Sequence, residues 1–238
     1  MFGGAFFVLI FYLPLYFQSI KGVSATKSGI QILPLILSNV IASIVTGGLI
    51  TVIGYYTPFI IFGSITLAVG SGLVSTLQVD TSFAKWFGYE LLTGIGAGMC
   101  IQVSLLAVQA VLDIEDVPIG TACIIFFQTL GGALFVAVAQ TVFQNSVVRA
   151  AKELVPDIDP ALVLSTGATQ LRAALTKIGK QDELPEVLQA YMVGLKDAFR
   201  VAVGLASVAV LAAIFVEWKS IHSEKSKRNR ELNGGMAA

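Results

Sequence analysis

The sequence predicts an all-α membrane protein of six transmembrane helices, and three observations lead there. Hydrophobic residues make up 55% of the 238 and charged residues 13%, about half the ~25% charge of a soluble domain. Mean hydropathy is +0.82. The apolar residues also fall into six runs long enough to cross ~30 Å of hydrocarbon at ~1.5 Å per residue. These run from Phe2 to Ile20, Gly29 to Ile53, Pro58 to Leu77, Trp86 to Leu112, Pro118 to Phe143 and Asp197 to Trp218.

The first span follows Met1 with no basic leader and no small-residue cleavage site, so it does not read as a secretory signal peptide; the chain starts as though inside a larger protein. The polar stretch KGVSATKSG (Lys21 to Gly29) leads to the second span, the tight turn GYYTP (Gly54 to Pro58) to the third, QVDTSFAK (Gln78 to Lys85) to the fourth and the acidic DIEDVP (Asp113 to Pro118) to the fifth. Connections this short make sequential helices antiparallel neighbours. Residues 1–143 therefore form a five-helix part of the bundle. Residues 144–196 read as a long loop in which Leu171, Leu175 and Ile178 have helical spacing while Arg172 and Lys177 turn elsewhere. This describes an amphipathic helix packed over the helix ends or lying at the interface, on a stretch too poor in apolar residues to fold alone. Residues 197–218 are the sixth span and 219–238 a basic tail.

Fifteen basic and fifteen acidic residues cancel, and no basic stripe suggests a nucleic-acid partner. His222 is the sole imidazole, which argues against histidine-based metal or triad chemistry, and no cofactor is expected. Cys100 and Cys123 sit in apolar runs as small hydrophobes rather than as a disulfide. Six spans put both termini on one side. The tail KSIHSEKSKRNRE carries five of the fifteen basic residues close to a helix end, which favours a cytosolic tail, although Lys21, Lys27, Lys85 and the long loop place more charges opposite; long connections translocate largely regardless of charge.

Within the spans, glycine recurs as Gly94, Gly96 and Gly98 and as Gly131 with Gly132. Small residues allow close helix packing, and three glycines in five residues would also bend easily. Amides stand in the apolar runs: Asn39 in the second span, Gln102 and Gln109 seven apart on one face of the fourth, and Gln128 on the fifth near Phe135. Each must find a hydrogen-bond partner between helices or line a wet cavity. A few amides among aromatics also describe a pathway for an amphipathic organic molecule. Glu90 is the one carboxylate placed inside a span, about one turn below Trp86 and Tyr89. Either it is held locally by hydrogen bonds or by reaching the interface, or it binds a proton during a transport cycle.

Three stretches carry a family resemblance: FYLPLYFQSIKGVSATKSGIQILP (Phe11 to Pro34), LLTGIGAGMCIQ (Leu91 to Gln102) and PIGTACIIFFQTLGGALFVAVAQTVFQN (Pro118 to Asn145). They resemble the carboxy-terminal half of fungal major facilitator superfamily efflux pumps, nearest the fourteen-helix drug:proton antiporter group. The resemblance implies one six-helix half-bundle, with the loops after spans one, three and five external and the tail cytosolic. The superfamily's inner-loop motif is echoed by GGLITVIGY, with Gly47, Leu49 and Gly54 kept but Thr51, Val52 and Tyr55 where charges belong.

The function expected is that of a secondary transporter, or the carboxy-terminal half of one, exporting amphipathic molecules such as drugs or toxins by proton antiport. Its partners would be the organic substrate, protons, the lipid bilayer and an amino-terminal transmembrane half, in a plasma membrane rather than a vacuolar one. The alternative is a membrane-embedded half-protein that binds or assembles without transporting. An intramembrane enzyme ranks last, because the spans hold no paired carboxylates and no nucleophile beside a base.

Overall fold

The computed structural model describes residues 1–165, 175–176 and 179–216. Eight helices and one 3-10 turn make up the described elements. They are α1 (Phe2–Ser19), α2 (Ala25–Gln31), α3 (Leu33–Ile53), α4 (Thr57–Ser75), α5 (Phe83–Val111), α6 (Val117–Leu154), α7 (Pro160–Ser165), the turn at Gln181–Glu183 and α8 (Leu184–Ile214). Six of the segments are long and apolar enough to cross a membrane, with α2 and α3 counting as one. The protein is a multi-pass membrane protein.

Local chemistry sets the helix limits. Ser24 caps α2, its side chain accepting from the Lys27 amide. Pro34, Pro58, Pro118 and Pro185 sit in the first turns of α3, α4, α6 and α8, where a missing N–H costs nothing. Gly54 ends α3 at φ 82°, a left-handed conformation that releases the chain into the tight turn before α4.

The helices form two interleaved trios. α1 packs against α6 and α8, α5 packs against α3 and α4, and α4 lies on α8 to join the trios. α1 and α5 are therefore each held by the second and third long helices of the other half of the chain. The core between them holds Tyr12, Tyr16, Phe17, Leu67, Leu195 and Phe199, all fully buried. At one end of the bundle, here the lysine end, Lys21 donates to the carbonyls of Val79 and Thr81, both at 2.8 Å, clipping two connections together. Burial lowers the Lys21 ammonium pKa from its ordinary value, against the pull of Asp80. The Gly54 turn lies at the other end.

The fifth and sixth spans are longer than the apolar runs suggest. α6 continues past Phe143 to Leu154 and α8 begins at Leu184 rather than at Asp197, so both ends of the segment read as a loop over 144–196 belong to these two helices. Val147, Ala150 and Ala151 of α6 and Val187, Leu188, Tyr191 and Leu195 of α8 are buried. Beside them the buried Ser146 donates to Asp197 at 2.7 Å, and the exposed Arg149 and Arg200 pair with the same carboxylate. Ile158, Val163 and Leu175 close the top of this pair as a small buried cap. Leu175 thus packs inward, while Leu171, Arg172, Lys177 and Ile178 lie outside the described residues, as do Trp218 and the basic tail.

Candidate functional site

The glycines of the fourth span explain how α5 is gripped. A Cβ on Gly94 would stand 2.0 Å from Ser38 Oγ and 2.3 Å from the Leu35 carbonyl oxygen, and one on Gly98 would stand 2.2 Å from the Asn39 carbonyl oxygen. A Cβ on Gly96 would meet the Leu67 amide nitrogen of α4 at 2.3 Å. Gly94 and Gly98 thus admit the α3 backbone, and Gly96 admits that of α4. This is packing by small residues.

The α3–α5 contact has a fixed register. Ser43 Oγ donates to the Gly98 carbonyl across a separation of 55 residues. The same offset pairs Gly47 with the Gln102 side chain, the Asn39 backbone with Gly94 and the Leu35 backbone with the Glu90 carboxyl. Every fourth residue of each helix takes part. Glu90, Gly94, Gly98 and Gln102 of α5 face Leu35, Asn39, Ser43 and Gly47 of α3, an arrangement of i±4 ridges in parallel helices. Gln109 does not extend it and is exposed. By the same register α3 reaches its last residue, Ile53, opposite Val108, so Gln109 lies beyond the end of α3 and does not point into the bundle among the described residues.

Glu90 is fully buried. Both of its carboxyl oxygens lack a hydrogen-bond partner of good geometry, as do Asn39 Nδ2 and Gln31 Oε1. Gln31, the last residue of α2, stands one turn before Leu35 at the head of the same ladder, near the start of the second apolar run. The carboxyl therefore lies within the bundle, and the reading of Glu90 as a group reaching the interface is replaced by a wholly buried one.

Gln128 and Phe135 belong to the other glycine seam, between α1 and α6. A Cβ on Gly3 would stand 3.0 Å from the Gln128 carbonyl oxygen, and one on Gly4 would stand 2.9 Å from the Phe135 ring. Gly132 admits the Phe7 ring, whereas Gly131 has open space around it. Gln128 lines a pocket of about 270 Å³ with Ser104, Cys123 and Phe127 at the Gly54 end, where α1, α5 and α6 meet. Asn39 and Gln102 are not brought to this pocket. A hydrogen bond missed in the sequence crosses the same seam further along, Tyr12 OH donating to Gln140 Oε1 at 2.8 Å.

A second cavity, about 760 Å³, runs along α3 and α5 on the side away from α1. Leu37, Ile41 and Val45 form one wall, Phe87, Leu91 and Ile95 the other, and Phe59 of α4 closes one end. It exists because α3 and α4 hardly touch each other, so that α5 forms the floor between them.

No family model matches the chain. Among curated proteins, the efflux pump roqT of Penicillium rubens is 44% identical over 231 residues, 97% of this chain and 42% of that protein. The aspyridones efflux protein of Neocamarosporium betae is 43% identical over 224 residues, covering 94% of this chain and 39% of the relative. The acetylaranotin efflux transporter ataA of Aspergillus terreus is 45% identical over 219 residues, 92% and 48% of the two chains. The chain spans between about two fifths and a half of the length of these relatives. Six apolar helices interleaved as two trios and this likeness over nearly the whole chain place it in one family: it belongs to the fungal transporters of the major facilitator superfamily.

Proposed function

We propose that this chain is the carboxy-terminal transmembrane half of an exporter in the plasma membrane, moving amphipathic organic molecules outward by proton antiport. The observation that carries the reading is the likeness, at more than 40% identity over most of the chain, to several proteins named as efflux pumps. Two of those relatives are named for organic cargoes, aspyridones and acetylaranotin. In this reading the lysine end is external and the Gly54 end cytosolic. Substrate enters from the cytosol past Gln128, which orients it within a pocket also lined by Ser104, Cys123, Phe127, Ile124 and Phe2. Phe135 lies further along the same helix. Asn39 and Gln102 act in the α3–α5 seam, and Glu90 binds the proton whose release accompanies transport.

The test uses the complete transporter in its membrane. Replacing Gln128 by Leu is expected to lower efflux at unchanged protein level; a fall in both by the same proportion would make Gln128 a packing residue. Glu90→Gln is expected to abolish the dependence of efflux on external pH. An unchanged pH profile would put the proton elsewhere. Accessibility labelling should find Lys21, Lys85 and the loop around Asp159 outside and Lys225 inside, and labelling of Lys225 in intact cells would reverse the topology.

A further inference from the structure

Four of the five buried side-chain atoms without a hydrogen-bond partner among the described residues lie along the α3–α5 seam or at its head, where α2 ends: Gln31 Oε1, Asn39 Nδ2 and both carboxyl oxygens of Glu90. Their order along the seam is informative. Glu90 meets α3 at Leu35. One turn toward the lysine end is Gln31, offering an acceptor without a donor; one turn toward the Gly54 end is Asn39, offering a donor without an acceptor. A carboxyl group is the side chain that can answer both, because as the neutral acid it donates and as the carboxylate it only accepts.

No countercharge competes for it. α3 and α4 contain no titratable side chain, and those of α1 are Tyr12, engaged with Gln140, and Tyr16, engaged with the Gln78 carbonyl. On α5 itself Lys85 is exposed, and Tyr89 and Cys100 lie off the ladder; on α2 Lys27 is exposed, and Lys21 beyond α1 is bound to the Val79 and Thr81 carbonyls. An ionised Glu90 in this seam would be a buried charge with no cation beside it, held by the Leu35 backbone alone until a further donor reaches it.

We infer that Gln31 and Asn39 are the positioning residues of a two-state proton site centred on Glu90, Gln31 Oε1 accepting from the neutral acid and Asn39 Nδ2 donating to the carboxylate. The site rests on the proposed proton antiport and adds its two stations. In the protonated station Glu90 Oε–H points to Gln31 and the seam stays closed and electrically neutral. Loss of the proton toward the lysine end leaves the carboxylate facing a bare amide oxygen, and it turns one station inward to the Asn39 amide. α3 can follow that turn, because among the long helices α5 is its one extensive neighbour. Proton release and a movement of α3 against α5 are then one event.

The two stations make opposite predictions, which a purely structural role does not. The full-length protein in lipid vesicles is titrated by infrared difference spectroscopy, following the carbonyl band of the protonated carboxyl that Glu90→Gln removes. Gln31→Leu deletes the acceptor of the neutral acid and should move the midpoint down by about one pH unit; Asn39→Leu deletes the donor to the carboxylate and should move it up by a similar amount, the size of one hydrogen bond to a buried acid. Where Asn39→Leu fails to accumulate, Asn39→Ala reads the same shift. Shifts of both variants in one direction, or of neither, overturn the two-station site while leaving Glu90 as the proton carrier. A titrating band that persists unchanged in Glu90→Gln overturns the proton-binding role of Glu90 as well.

Discussion

The two glycine seams of the half-bundle are built alike and finished differently. In each, the first long helix of one half of the chain lies on the second of the other, α1 on α6 and α5 on α3, with glycines admitting the partner closely. Along α1–α6 the polar groups meet: Tyr12 reaches Gln140, and α8 packs on both helices to close the trio. Along α3–α5 Ser43 meets the Gly98 carbonyl, but Gln31, Asn39 and Glu90 keep unpartnered polar atoms, and α4 stands off from α3 so that an apolar cleft opens beside the seam. A satisfied seam covered by a third helix has one good arrangement. A seam with a donor, an acceptor and an acid left over, held by a single neighbour, has room for two. The difference separates a frame from a moving part.

The comparison is broken most severely by filling the tight seam. Gly94→Ala would drive a methyl into Ser38 and the Leu35 carbonyl, so at least ~3 kcal/mol of stability should be lost, the upper end of overpacking costs. Thermal unfolding of the complete transporter, or its failure to accumulate, reads this out. Next in size, Glu90→Leu takes away the acid that answers Gln31 and Asn39 and should lower the unfolding midpoint, by the equivalent of ~1–3 kcal/mol. A rise instead would mean that the carboxyl is not bonded within the seam. Tyr12→Phe in the finished seam should cost less, ~1 kcal/mol, by leaving Gln140 without its donor. The smallest effect is reserved for Gly131→Ala: with open space around that position, the added methyl should raise helix stability by ~0.5–1 kcal/mol and leave transport alone. A loss there would show that Gly131 serves as a hinge.

The number of spans and the glycine packing were legible because both are properties of single helices, read from run length and from Gly94 and Gly98 at four-residue spacing. Two things were not. The ends of the fifth and sixth spans carry Arg149, Lys152, Glu186 and Lys196 among their apolar residues, so mean hydropathy drops there even though Val147 and Ala151, or Val187 and Tyr191, still recur at helical spacing. Reading for membrane length concealed an amphipathic pair outside it. The site around Glu90 was half visible: a carboxylate within an apolar run stands out, but its companions Gln31 and Asn39 lie more than fifty positions away, and the register of one helix on another is set by side-chain fit that no single segment records. Gln102 and Gln109 show the same limit, seven apart on one face yet with different surroundings, because α3 stops between their levels.

The cluster at the lysine end of α6 and α8 bears on how the chain enters a bilayer. Asp197 lies near the start of the apolar part of α8 and is matched by Ser146 and Arg149, which belong to α6. The last helix presented alone to a translocating channel would carry that carboxylate without two of its three partners; presented beside α6 it would not. The two helices should therefore leave the channel as a hairpin, and the timing of biogenesis would be governed by the connection between them rather than by the hydropathy of either.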